Sequence, residues 1–370
     1  MVKKYALVTG TRPQIIKSVP ILRNVKSLTE IEIVHIFTGQ HYDSYLSDLF
    51  FRNLLMDSPD HELDVRSGST DYHICKIIEK LTPILKKGEF DGLLIPGDTN
   101  SALAGALTGM FLKIPVCHIE AGLRSFDLRM QEEINRRLID HGSALLFAPT
   151  KTAIQNLEKE SALGAIIFTG DTMQELLISE KKRIIDKKLF ESTADNLRIE
   201  EKNYLIMTLH RRETLADSEK LNKIFLSIGK TGISSIFPIH PHTKKIIEKT
   251  NIKIPPNIKL IDPQSYHIFL NLVANSKLVL TDSGGLQKEA YLLEIPCITL
   301  RNKTEWLETV EEGANEIVGN NPILIAQAIE VMIKKKIIAK PSIYGDGKAS
   351  DRILRELNKA IPTVPTVKEL

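Results

Sequence analysis

Short apolar runs of strand length recur through this chain, separated by longer stretches with helical spacing. In the first half they fall at 5–8, 33–37, 93–95, 116–119, 145–148 and 166–168. In the second half they fall at 204–209, 235–239, 258–262, 277–281 and 296–300. Near-continuous apolar strands are those buried on both faces. Between them, segment 71–87 carries Ile74, Ile77, Ile78, Leu81 and Leu85 at the spacing of one helix face. Strands alternating with helices predict a parallel sheet covered by helices on both sides, a doubly wound α/β fold. A chain of 370 residues has length for two such domains. The triplet Gly97-Asp98-Thr99 recurs as Gly170-Asp171-Thr172, and the domain change is placed there. The expected division is 1–169 and 170–350, with a terminal helix within 351–370 packing back on the first domain. The second triplet is expected to open one charged helix, with polar residues after it from Glu191.

Composition removes several function classes. Hydrophobic residues at 42% and charged residues at 26% are ordinary globular values. A net charge of +3, with no basic stripe interleaved with aromatics, argues against nucleic acid as a partner. No apolar run approaches the ~20 residues of a membrane helix. The start, MVKKYALVTG, is too short and strand-like for a signal peptide, so a cytoplasmic protein is expected. Cys117 and Cys297 sit in apolar strand runs and, like Cys75, are expected to be reduced. The histidines form no HExxH, and His240-Pro241-His242 reads as a loop, so no metal site is expected.

The chemistry concentrates in 97–140. Asp98 follows one strand, Glu120 ends the next, and Glu132 opens the helix EEINRRLID, with Arg124 and Arg136 close in sequence. In open α/β sheets ligands bind outside the carboxyl ends of the strands, the edge these residues share. Singly, Asp98 reads as a helix cap, Glu120 as a loop residue and Glu132 as a complement to the helix dipole. Three carboxylates with fixed cations in one block favour a site for acid/base work on a charged ligand. The sequence DSGGLQKE offers an anion site, because Gly284 and Gly285 let a helix N-terminus approach a ligand. Ser283 adds a hydroxyl, and Glu289 is within reach of a ribose. GTRPQIIK supplies Arg12 and Lys17, and His210 ends a strand beside two arginines. Two cationic or N–H-rich edges suggest a diphosphate.

GTRPQIIK, TGQH, GDTNSALAG, HIEAGLRS, QEEINRRL, LHRRE, IHPHTKK, DPQSYHIF, LTDSGGLQKEA and TEWLETVEEGANEIVG occur in that order. Together they resemble the non-hydrolysing UDP-N-acetylglucosamine 2-epimerase family. The resemblance implies two Rossmann-like domains facing across a cleft, as in glycosyltransferase-B folds, a homodimer, and no metal or nicotinamide cofactor. It implies reversible conversion of UDP-GlcNAc to UDP-ManNAc through elimination of UDP to 2-acetamidoglucal, serving surface polysaccharide synthesis. By motif, Asp98, Glu120, Glu132 and His210 match its catalytic residues. Arg12, Lys17, Arg136, Gln264, Phe269, Ser283, Gly284, Gly285 and Glu289 match its UDP contacts. Which carboxylate removes the C2 proton stays open.

Three positions depart from the family pattern. Gln14 stands at a usual glutamate, Gln131 at the proline of PEE, and Trp306 at the arginine of TERPE. TEW, HPHTKK and LRSFDLRMQEEINR also resemble a branch acting on UDP-2,3-diacetamido-glucuronic acid. A glycosyltransferase of the same fold, a hydrolysing epimerase or a nucleotide-sugar sensor are the competing readings. A sensor has no need of three strand-end carboxylates.

Overall fold

The structure is a computed structural model and describes residues 2–39, 54, 56–65, 68–250, 252–359 and 362–364. Gln40 and His41 of the TGQH motif lie outside the described residues. The chain folds as two compact units, 1–178 with 341–370, and 179–340.

The first unit is built on strands β1 (Lys3–Thr9), β2 (Ile31–Phe37), β3 (His61–Glu62), β4 (Gly92–Pro96), β5 (Val116–Ile119), β6 (Leu145–Ala148) and β7 (Ala165–Phe168). They form one parallel sheet in the order β3-β2-β1-β4-β5-β6-β7. Alternate residues of β1 and β4 enter two different cores, as the two-residue period of a strand requires. Ala6, Val8, Leu93 and Ile95 join Ile77, Leu81 and Leu85 on one face. Tyr5, Leu7, Leu94 and Cys117 join Ile21, Ile353, Leu354 and Leu357 on the other. The last three belong to helix Ala349–Lys359, which therefore completes the first unit. Buried Tyr5 donates its hydroxyl to Leu357 O at 2.9 Å, tying the first strand to the last helix.

The second unit holds β8 (Leu205–Thr208), β9 (Ser235–Pro238), β10 (Ile258–Ile261), β11 (Leu278–Thr281), β12 (Cys297–Thr299) and β13 (Asn315–Ile317). These too are parallel, in the order β10-β9-β8-β11-β12-β13. Both sheets reverse strand order beside their first strand, between β1 and β4 and between β8 and β11. Ligands of doubly wound sheets bind at that switch point.

The expected single charged helix after Gly170 is two helices, Thr172–Ile184 and Lys187–Leu197. Asp186 interrupts the run and caps the second, accepting from the N–H groups of Lys188 and Leu189. The expected polar stretch from Glu191 thus begins inside a helix. His240-Pro241 opens helix Pro241–Thr250 rather than a loop. Among the described residues no helix is long and apolar enough to cross a membrane.

Leu357→Ala removes a fully buried side chain from the docked helix. A loss of roughly 2–5 kcal/mol is expected in urea unfolding. Arg355→Ala, on the exposed face, should stay within about 0.5 kcal/mol of wild type. Equal effects from both would show that the helix is not docked.

Candidate active site

In the first unit the catalytic candidates sit on turns with unusual backbone. Gly97 follows β4 with φ 70°, and Glu120 follows β5 with φ 72°. The left-handed region costs a side-chain-bearing residue about 1–2 kcal/mol, and such strain persists only where the surroundings enforce it. Here both N–H groups of Glu120 and Ala121 bond to Phe147 O on β6, each at 3.1 Å. Gly97 N–H bonds to Ile119 O at 2.9 Å, so the two turns are directly joined.

Lys17 comes up beneath them from helix Arg12–Asn24. It is buried and pairs with the Glu120 carboxylate. Its Nζ lies 2.9 Å from where a β-carbon on Gly97 would be, so only glycine leaves room for the ammonium. Burial works against the charge on Lys17, but Glu120, Asp98 and Asp171 outweigh it and hold its pKa above the ordinary lysine value. The side chain expected to serve a diphosphate thus faces a catalytic candidate. Arg12, the first residue of the same helix, is exposed.

Asp98 is held by the other predicted cation of this unit. Arg136, 2% exposed, directs Nε and Nη2 to Asp98 Oδ2 at 3.1 and 2.5 Å. The helix Asn100–Leu112 is capped by Thr99, whose hydroxyl accepts from Ala102 N–H, so Asp98 is released from that duty. Glu132 occupies the first turn of helix Gln131–Gly142. Its neighbour Glu133 is fully buried and accepts from the N–H and the hydroxyl of Ser125 and from both Arg136 and Arg137.

Below the turns lies a group that the sequence reading left out. His118 on β5 is fully buried, with Nδ1 2.6 Å from Asp140 Oδ1 and Nε2 2.9 Å from Gly97 O. Asp140 Oδ2 accepts from Gly122 N–H and Arg124 Nη1. Glu133, Arg136 and Asp140 recur at i, i+3 and i+7, one buried face of the helix, and that polar spacing was the available signal.

The second unit presents His210 after β8 and Asp282 after β11. Asp282 is fully buried, accepts the backbone N–H groups of His210 and Arg211, and lies 3.1 Å from His210 Nδ1. Burial would raise this carboxyl, but His210 and those N–H groups hold it below the usual carboxylate range. With Nδ1 on Asp282, Nε2 is the ring atom left for a ligand, and the side chain is half exposed. Asp282 was missed although it opens the DSGG motif.

Ser283 caps helix Gly284–Leu292, accepting from Leu286 N–H. A β-carbon on Gly284 would lie 2.1 Å from Glu305 Oε1 and 3.4 Å from Trp306 Nε1. Glu305, itself paired with Arg301 at 3.0 Å, occupies the space there, so a larger residue at 284 would have to displace that carboxylate. Trp306 is 2% exposed and lies under the fully buried Lys288 ammonium, 4.0 Å from its ring centroid. Glu289, on the same helix, is also buried. Gln264 donates to Asp262 O at 2.7 Å after edge strand β10, and Phe269 is half-buried in helix Tyr266–Ala274. Among the described residues no three His, Cys, Asp or Glu side chains are grouped to hold a metal ion.

Comparison with known proteins gives a consistent result. The family model described as UDP-N-acetylglucosamine 2-epimerase matches residues 23–358. The UDP-N-acetylglucosamine 2-epimerase of Methanocaldococcus jannaschii is 42% identical, over 96% of this chain and 98% of its own. The UDP-2,3-diacetamido-2,3-dideoxy-D-glucuronate 2-epimerase of Pseudomonas aeruginosa is 37% identical, over 96% of this chain and 99% of its own. The crystal structure of the M. jannaschii UDP-GlcNAc 2-epimerase in complex with UDP-GlcNAc and UDP superposes with a TM-score of 0.90. The identity is 39%, and the match covers 97% of this chain and 100% of that one.

Gly284→Ala forces Glu305 off Arg301 and is expected to cost roughly 1–3 kcal/mol in thermal or urea unfolding. Combining it with Glu305→Ala should be clearly less than additive, because both act on one contact. Strict additivity would show that the steric conflict is absent.

Proposed function

Because the chain belongs to the UDP-N-acetylglucosamine 2-epimerase family, we propose that it interconverts UDP-GlcNAc and UDP-ManNAc. The C2 hydrogen of this sugar is not next to a carbonyl, so its direct removal is very unfavourable. Elimination avoids the difficulty. The C1–O bond breaks with its electron pair going to UDP, C2 gives up its proton to a base, and the new C1–C2 double bond makes 2-acetamidoglucal. Protonation of C2 on the opposite face and return of UDP to C1 complete the inversion.

The observation that carries this reading is the pairing of Asp98 with Arg136 and of Glu120 with Lys17 at the carboxyl edge of adjacent strands. A carboxylate with a cation at its side is held in place at the strand end, where it can exchange a proton with a bound sugar. Asp98, Glu120 and Glu132 are assigned the acid/base work. His210, Arg12 and the Ser283–Gly285 turn are assigned to the departing diphosphate, where charge develops. Gln264, Phe269 and Glu289 are assigned to the nucleoside, with Lys17 and Arg136 serving the carboxylates as well as the ligand. The reaction uses no cofactor.

The 37% identical relative named for UDP-2,3-diacetamido-glucuronate favours a second reading, in which that sugar is epimerised by the same chemistry. The protein is further read as a homodimer. Phe126, Leu128 and Leu138 are exposed at 55, 63 and 51%, and Phe111 at 73%, an apolar surface of the kind that subunits cover. Free cysteines and a nucleotide-sugar substrate fit a cytoplasmic enzyme that supplies polysaccharide synthesis.

Incubation with UDP-GlcNAc in D2O, followed by NMR, should place deuterium at C2 of both epimers. Epimerisation without solvent label would overturn elimination. Turnover only of the diacetamido-uronic acid substrate would transfer the assignment to the second reading.

Asp98→Asn, Glu120→Gln and Glu132→Gln should each lower kcat by ~10²–10⁴-fold, with a much smaller change in UDP affinity by calorimetry. A folded variant with near-normal kcat returns that residue to a structural role.

A further inference from the structure

We propose that His118 and Asp140 are positioning residues for the C2 acid/base groups, acting through the backbone of the two turns that carry Asp98 and Glu120. The inference rests on the reading of those carboxylates given above. Neither side chain is exposed at all, so neither can touch a sugar. Their contacts run instead to main-chain atoms on both sides of the catalytic candidates.

Toward Asp98, His118 Nε2 is 2.9 Å from the carbonyl of Gly97, the residue immediately before it. Toward Glu120, Asp140 Oδ2 accepts the N–H of Gly122, two residues after it, at 3.2 Å. The two contacts are joined by the 2.6 Å bond from His118 Nδ1 to Asp140 Oδ1. Gly97, Glu120 and Gly122 have φ of 70, 72 and 84°, so three left-handed residues lie within this one network. Gly97 and Gly122 adopt this backbone without strain, whereas Glu120 bears a cost that its surroundings must enforce.

The charges in the network are complementary. Burial would raise the Asp140 carboxyl, but His118 and Arg124 outweigh it and keep it below the usual range. A backbone carbonyl and an ionised carboxylate can only accept hydrogen bonds. Each ring nitrogen of His118 therefore faces an acceptor, Asp140 Oδ1 on one side and Gly97 O on the other. Arg124, fully buried, adds 2.7 Å bonds to Asp140 Oδ2 and to Leu123 O. Its other edge meets Glu160 at 3.0 and 2.7 Å, where the network ends on a side chain 18% exposed. Buried ions of this kind are poor sources of stability compared with apolar packing, and the best-attested use for them is geometric specification. What this network specifies is the register of two catalytic turns.

The test compares Asp140→Asn and His118→Gln with wild type. Misplacing a reacting group by about 1 Å costs roughly 10²-fold in rate, so kcat should fall by that order. KM and calorimetric UDP affinity should stay near wild type, because no ligand contact is altered. Glu160→Gln weakens the outer partner of Arg124 while leaving an amide oxygen to accept from it and leaving the Asp140 contact in place. It should lower kcat in the same direction by a smaller factor, and it keeps the test alive if the buried variants do not fold. A folded variant with wild-type kcat, or parallel losses of kcat and UDP affinity, would each overturn the inference. Absence of wild-type turnover on either UDP-sugar would instead overturn the assignment of Asp98 and Glu120, and this inference with it.

Discussion

A carboxylate placed at a strand end is useful for proton transfer only if its charge is answered and its position held. In the first unit the pairing of Lys17 with Glu120 meets both conditions, and much of the local structure exists to make it possible. Gly97 has no side chain where the ammonium lies, and Glu120 accepts a left-handed backbone to face it. Arg136 does for Asp98 what Lys17 does for Glu120, from a different helix. Two carboxylates that would repel one another at close range are thus made compatible by two buried cations. The second unit applies the same logic with the signs exchanged. Buried Asp282 answers His210 and leaves the outer ring nitrogen for a ligand.

Most of the fold was legible in the sequence, because strands buried on both faces must be apolar throughout and helices between them must show the 3.6-residue period. The strand runs at 33–37, 116–119 and 145–148 fall within or on strands of the structure. The short elements were hidden for a physical reason. His61–Glu62 and Asn315–Ile317 are too brief and too polar to show a pattern, and they form only because a neighbouring strand offers its hydrogen bonds. The break at Asp186 was hidden by charged residues on both sides, where cap chemistry rather than periodicity decides.

The candidate site could be read by chemical type rather than by contact. Asp98, Glu120 and His210 stand out because charged residues at strand ends have no packing role. Buried polar partners such as His118, Asp140 and Asp282 do not, because a sequence gives no sign of which charges lie inside. Pairings were the least visible. Lys17 and Arg136 read as ligand contacts, while the structure shows each also engaged with a carboxylate of its own unit.

The three departures from the family pattern can be understood at the same level. Gln14 accepts from Gly10 N–H and donates to Pro96 O at 2.9 Å, linking the ends of β1 and β4. An amide can do both, whereas an ionised carboxylate could not donate to that carbonyl. Gln131 gives up the preorganised backbone of a proline at a helix start, but its side chain reaches Asn135 at 2.8 Å, and Asn135 in turn holds Asp98 O at 2.8 Å. Trp306 replaces an arginine with a ring on which the Lys288 ammonium rests. Lys288 stands one turn into the helix that begins at Gly284. A cation over an indole is worth ~2 kcal/mol or more when desolvated, and Lys288 is fully buried. Trp306 and Lys288 are thus one contacting pair in this chain. Replacing Trp306 alone by arginine would set two buried cations against each other.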